Sequence, residues 1–171
     1  MSSLSERLPG LNLFRLEGRT AIVTGGSKGL GFAMAAGLAS AGAKVMLVSR
    51  QGSEAVSAAE QISDEYGLDA FGYGADVTDA EQVEHMVQSA LIRWRRIDIL
   101  INSAGINIRG PIESLSEADF DEVYRINVKG GWLAAHGVVP VMKKAGYGCI
   151  INVAKRPGAR RAGQSNTLHQ Q

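Results

Sequence analysis

Thr24-Gly-Gly-Ser-Lys-Gly-Leu-Gly31 is the segment that most restricts how this chain can fold. It follows Thr20-Ala-Ile-Val-Thr24, a short β-branched run of the kind that forms a fully buried strand, and it leads into a helical pattern. Glycine is needed at such a turn for three separate reasons. Gly25 permits the tight reversal, Gly29 lets the backbone approach a phosphate, and Gly31 lets the helix pack closely on the sheet. Free N–H groups at the helix start then meet the anion's charge. The same turn also serves as a plain strand–helix connection; its β-α-β context favours nucleotide binding. Leu30, Ala33, Met34, Gly37, Leu38 and Ala41 are expected to form the buried face of the helix.

The rest of the body keeps this alternation. Lys44-Val-Met-Leu-Val-Ser49 reads as a second strand, and a helix across 53–66 places Ala55, Ala58, Ala59 and Ile62 on one side. Ala70-Phe-Gly-Tyr-Gly-Ala75 is a third strand, broken by glycines. Thr78 with Glu81 predicts a capping box before a helix whose apolar face is Val83, Met86, Val87, Ala90, Leu91 and Trp94. Ile97-Asp-Ile-Leu-Ile-Asn102 and Gly148-Cys-Ile-Ile-Asn-Val153 read as strands four and five, separated by two helical segments over 116–145. Cys149, inside the last strand, is expected to be a small buried hydrophobe. Repeated β-α-β with continuous apolar strands predicts an α/β fold, a doubly wound parallel sheet covered on both faces.

A length of 171 residues suits one such domain. The single cysteine excludes a disulfide framework, and neither CxxC nor HExxH spacing offers a zinc site. His85, His136 and His169 share no ligand spacing, so no metal is expected. No run reaches the ~18 apolar residues of a membrane span. Residues 1–15 hold no apolar core of a secretory leader, so the expected location is cytoplasmic, with no membrane partner. Residues 1–154 carry a net −3, whereas residues 155–171 carry +4 through Lys155, Arg156, Arg160 and Arg161. Four cations without interleaved aromatics make no case for nucleic acid. With Leu168 as its one large aliphatic residue, 155–171 is expected to be a disordered basic tail unrelated to the body, 1–154.

Four landmarks stand in order: Thr24-Gly-x-x-x-Gly29-x-Gly31, Asp76-Val77, Asn102-Ser-Ala-Gly105, and Asn127 with Val128 and Gly130. On these, residues 14–154 resemble the short-chain dehydrogenases/reductases of the classical type, similar to gluconate 5-dehydrogenases and 3-oxoacyl-carrier-protein reductases. The resemblance implies a Rossmann sheet with five of the family's seven strands present. It implies that Gly25, Ser27, Lys28, Gly29, Leu30 and Gly31 bind the cofactor, and that Asp76 and Val77 hold the adenine. Asn102, Ala104 and Gly105 would line the nucleotide site, with Ser103 standing where the family more often has asparagine. Asn127 would be the tetrad asparagine that holds a water in the proton relay; its alternative is a purely structural helix residue. At the end of strand two stand Ser49-Arg50 and no acid, with Lys28 as a second cation. An acid there would bind a ribose 2′-hydroxyl, whereas arginine accommodates a 2′-phosphate, so NADP(H) is favoured over NAD(H). The alternative is an ordinary solvated arginine.

The resemblance also defines what the sequence lacks. The family's serine belongs after Ile150-Ile-Asn-Val-Ala154, where Lys155 stands, and no Tyr-x-x-x-Lys follows, since the last tyrosine is Tyr147. Three of four tetrad positions are unfilled, so the chain is expected to be a C-terminally truncated relative without useful activity. The abrupt change at Lys155 is the pattern of a frame shift or alternative exon. A carbonyl or alcohol substrate would be handled only by a completed chain, and a homo-oligomer built on the helix of His136 would be weakened. Besides this oxidoreductase reading stand two others: a non-catalytic dinucleotide-binding or dimerisation module, and a different Rossmann enzyme such as a methyltransferase. Arg50 and Asn102-Ser-Ala-Gly105 argue against the last.

Overall fold

The computed structural model describes residues 10–154. Five strands, β1 (Thr20–Thr24), β2 (Lys44–Ser49), β3 (Ala70–Gly74), β4 (Ile99–Asn102) and β5 (Cys149–Asn152), form one sheet in the order β3-β2-β1-β4-β5. Every neighbouring pair is parallel. The connecting helices are α1 (Gly29–Ser40), α2 (Gly52–Tyr66), α3 (Ala80–Trp94), α4 (Glu117–Tyr124) and α5 (Gly131–Ala145), with a π-helical turn, Arg125–Gly130, joining α4 to α5. Strand order reverses between β1 and β4, and such sheets take ligands at the carboxyl ends beside that switch. The predicted doubly wound α/β architecture is present, with all five expected strands.

Side chains alternate between two cores. Ile22, Met46, Val48 and Leu100 face α3 and α5, while Ala21, Val23, Val45, Leu47, Ile99 and Ile101 face α1 and α2. Burial on both faces explains why these strands read as continuous apolar runs. α1 departs from its expected face: Gly31, Ala35 and Ala39 are the buried positions, and Leu30 is 64% exposed. The helix lies so close to the sheet that only small side chains fit between them, and the larger Phe32, Met34 and Leu38 flank the contact.

Two further expectations are corrected. The cap of α3 is Asp79, whose carboxylate accepts from the N–H groups of Glu81 at 2.9 Å and Gln82 at 3.2 Å. The Thr78 hydroxyl is engaged elsewhere: it donates to Asp76 at 2.8 Å and accepts from Arg125. A full capping box stands instead at Ser116 and Asp119, opening α4. Cys149 is exposed rather than buried. It shares with Ile151 the face that Ile99 and Ile101 present on β4, and at the edge strand that face is left open.

Asp98 ties the amino ends of the strands together. Its carboxylate is 2% exposed and accepts from Arg19 at 2.9 Å, from Arg96 at 2.7 Å and from the Thr20 N–H at 3.0 Å. Its backbone N–H and carbonyl bond Thr20 and Cys149. Arg19 in turn lies 3.8 Å over the Tyr147 ring. His85 and His136 are exposed. The expectations for 155–171, including Lys155 and His169, lie outside the described residues.

Candidate functional site

Thr24 ends β1, and its buried side chain draws the β4 loop against the glycine turn. The hydroxyl oxygen accepts from the N–H groups of Ser103 at 3.2 Å and Ala104 at 3.3 Å, and the hydroxyl donates to Ile101 at 3.4 Å. Gly25 completes the approach with φ +64°; a Cβ there would stand 2.8 Å from the Ala104 backbone. Gly31 is tighter still, because a Cβ would fall 2.1 Å from the Gly25 carbonyl oxygen. Its neighbour is therefore the turn itself rather than the sheet. Nothing lies within 4 Å of a Cβ built on Gly29, so the outer side of the turn is open.

α1 begins there without a side-chain cap: Lys28 occupies the N-cap and no acid stands in the first turn. The first N–H groups and the positive end of the helix dipole are thus directed at an anion. A cradle free of side chains, floored by Ala104 and edged by uncapped N–H groups, has the features that a pyrophosphate requires.

On its far side the loop after β4 is held by Asn127. The amide oxygen accepts from the Ile106 N–H and the amide nitrogen donates to the Ile106 carbonyl, both at 2.9 Å. Gly105 lies beneath this amide, where a Cβ would stand 3.1 Å from its oxygen. Asn127 lies in the π turn, a distortion that recurs at functional sites. Gly130 closes the same turn against Val77, whose methyl would stand 2.7 Å from an added Cβ. Asn102, 7% exposed, donates to the Gly131 carbonyl at 3.1 Å and to Asn152 at 2.9 Å, while its own amide oxygen is buried with no hydrogen-bond partner.

Asp76 follows β3. Its carboxylate accepts from the Thr78 N–H at 2.9 Å and hydroxyl at 2.8 Å. Burial pushes its pKa up, but these bonds and the charges of Arg125 and Arg50 outweigh that and hold it below the usual carboxylate range. Arg125 donates to the Thr78 hydroxyl and to both carboxylate oxygens of Glu122 at 2.8 Å. Arg50, exposed at the end of β2, acts through its charge on Asp76 and Glu122. The Ser27 hydroxyl donates to a Glu54 carboxylate oxygen at 3.3 Å, and Lys28 Nζ lies 3.6 Å from the same oxygen.

The residues singled out in the sequence thus form one arc around the carboxyl ends of the strands. It runs from the turn at 25–31 through Ala104, Gly105 and Asn127 to Val77, Asp76 and Arg50. Sequence reasoning missed three contributors: the Thr24 hydroxyl, the Arg125–Thr78 tie and Glu54. Thr24 could have been found from its place at the head of the glycine motif, whereas the other two depend on tertiary contacts that no spacing reveals. Open clefts of about 490 and 570 Å³ lie elsewhere, at the amino ends of the strands and between α1 and α2. They hold no convergent set of buried polar groups, so the site is defined by the turn rather than by a cavity.

A parallel sheet of this order, with an uncapped helix and glycine turn at its switch point, defines a Rossmann-type α/β fold. The short chain dehydrogenase family matches residues 19–165. D-threitol dehydrogenase of Mycolicibacterium smegmatis is 37% identical over 84% of this chain and 55% of that protein. Gluconate 5-dehydrogenase of Gluconobacter oxydans is 37% identical over 86% and 59% respectively. The crystal structure of a 3-ketoacyl-ACP reductase from Sinorhizobium meliloti 1021 superposes with a TM-score of 0.73 at 32% identity, covering 77% of this chain and 51% of that one. The chain belongs to the short-chain dehydrogenase/reductase family of oxidoreductases, whose members use a nicotinamide dinucleotide. It spans somewhat more than half the length of these curated relatives. No helix among the described residues is long and apolar enough to cross a membrane.

Proposed function

We propose that residues 1–154 are the NADP(H)-binding part of an alcohol–ketone oxidoreductase, and that the 171-residue chain alone binds the dinucleotide without turning over a substrate. The observation that carries the binding half is the uncapped turn with no room for a side chain at Gly31. Gly25, Ser27, Gly29, Leu30 and Gly31 would hold the pyrophosphate through backbone N–H groups. Asp76 and Val77 would hold the adenine, and Asn102, Ala104 and Gly105 would line the nucleotide site. Arg50 and Lys28 would take a 2′-phosphate. Both are cations, and no carboxylate stands at the end of β2 to receive a free 2′-hydroxyl. When bound, the nicotinamide supplies or accepts a hydride at a substrate carbon. Asn127 acts as a positioning residue, because both ends of its amide are committed to Ile106.

A carbonyl oxygen that gains a hydride at its carbon also needs a proton. Tyr147, the last tyrosine in the sequence, lies beneath Arg19 at the amino end of β1, the opposite end of the strand from the glycine turn. It is out of reach of the arc. General acid–base assistance typically contributes ~10²–10⁴ in rate, and substrate orientation contributes more. In this reading the protein works in the cytoplasm on a small alcohol or carbonyl compound. A second reading, a non-catalytic module that pairs through α5, is favoured by the exposed Phe120, Tyr124, Val128 and Trp132 along α4, the π turn and α5.

With NADPH and a panel of carbonyl compounds, the keto forms of polyols and sugar acids together with ketoacyl thioesters, NADPH consumption by the chain should match the protein-free blank. Clear protein-dependent turnover would overturn the inactive half of the proposal and leave the binding half intact.

A further inference from the structure

We infer that Glu54 is a specificity-determining residue that weakens the preference of this site for a 2′-phosphorylated nucleotide. The inference rests on the dinucleotide reading above. Glu54 stands in the first turn of α2, four residues after Arg50, and one of its carboxylate oxygens receives both the Ser27 hydroxyl at 3.3 Å and the Lys28 ammonium at 3.6 Å. Ser27 and Lys28 belong to the glycine turn, so this oxygen ties the phosphate-binding turn to the helix that begins beside Arg50. The pair is solvent-facing, with Lys28 81% and Glu54 37% exposed. In such a setting the hydrogen bond and ion pair are weak, and the carboxylate's main effect is on the local charge.

Two consequences oppose each other. Glu54 offsets the charge of Lys28 and would repel a dianionic 2′-phosphate held between Lys28 and Arg50. It also restrains Lys28, which would aid binding if the restrained position were the productive one. The first effect prevails because Lys28 is so exposed: a side chain this free loses little by being released, and its charge is then no longer opposed by the carboxylate. Arg50 already faces the carboxylates of Asp76 and Glu122, so Lys28 is the cation whose charge Glu54 governs directly.

The test is calorimetric titration of the 171-residue chain and its Glu54→Gln variant with 5′-AMP and with 2′,5′-ADP, which differ by the 2′-phosphate alone. Glutamine keeps an oxygen for Ser27 and removes only the charge. Glu54→Gln should tighten 2′,5′-ADP by about threefold to tenfold more than it tightens 5′-AMP, the effect of one unit charge on the added 2′-phosphate at a partly screened separation of several ångströms. In a Lys28→Met background the gain should shrink to the part that comes from Glu54's own repulsion of the phosphate, since no ammonium is left to be released. Binding of both nucleotides with an unaltered ratio, or a ratio shifted toward 5′-AMP, overturns the assignment of Glu54 and leaves the dinucleotide reading in place. Failure of both proteins to bind either nucleotide overturns the dinucleotide reading and this inference with it.

Discussion

Replacing Gly31 by alanine should weaken dinucleotide binding severely and lower stability by about 3 kcal/mol, the upper end of what an over-packed contact costs. The added methyl would stand 2.1 Å from the Gly25 carbonyl oxygen. That neighbour is backbone, so it cannot swing aside as a flexible side chain would. Either α1 shifts along its axis or the turn opens, and both displace the N–H groups that would meet the phosphates. Losing two charge-assisted hydrogen bonds of about 1.5 kcal/mol each weakens binding by about 100-fold or more. Gly29→Ala separates the two effects. Its φ of +59° gives a strain of about 1–2 kcal/mol in the left-handed region, but its Cβ meets nothing in the protein. That methyl projects on the open side of the turn, where the ligand would lie, so binding should fall out of proportion to stability. Thermal unfolding and NADPH titration of both variants check this; wild-type affinity in Gly31→Ala would show that the phosphates lie elsewhere.

Asp98→Ala should lower stability by about 3 kcal/mol, the low end for breaking a buried ion pair. The low end applies because Arg19 and Arg96 are 34% and 44% exposed and can turn to water once the carboxylate is gone. What cannot escape is the buried N–H of Thr20, left without its acceptor. For a chain of this size the midpoint of thermal unfolding should fall by about 6–12 °C. The same group gives a pH dependence. Burial pushes the Asp98 pKa up, but hydrogen bonds from Arg96, Arg19 and the Thr20 N–H outweigh it and place the folded pKa below the usual carboxylate value. A group of this kind adds stability that is fully present above its unfolded pKa of about 3.9 and is lost as pH falls through the lower folded value. Wild-type stability should therefore decline below about pH 4 more steeply than that of Asp98→Ala. Parallel curves for the two proteins would remove Asp98 from this role.

β1, β2 and β4 were legible because burial on both faces leaves their interiors aliphatic, with polar residues only at their ends. The apolar faces of α2 and α3 were equally plain, since Ala55, Ala58, Ala59 and Ile62, and Val83, Met86, Val87, Ala90 and Trp94, recur at helical spacing and are buried. α1 misled because residue size and contact distance work against each other. Its buried residues are the smallest, Gly31, Ala35 and Ala39, while Leu30 faces outward. Cys149 misled for a topological reason: a strand's sequence does not say that it will be the edge. The cap of α3 turned on a tertiary contact: the Thr78 hydroxyl donates to Asp76 and accepts from Arg125, leaving the helix end to Asp79. Of the site, the glycine turn and Asn127 were visible in the spacing. The Arg125–Thr78 tie and the contact of Glu54 with Lys28 arise only once loops after β1, β2 and β3 and the π turn meet at one end of the sheet.

The most direct test is a fluorescence titration of the purified 171-residue chain with NADPH and, separately, NADH. NADPH should bind saturably with one site per chain, and about tenfold more tightly than NADH, the worth of one charge-assisted hydrogen bond of about 1.4 kcal/mol from Arg50 or Lys28 to the 2′-phosphate. Absence of saturable binding by either dinucleotide, or tighter binding of NADH, would contradict the account.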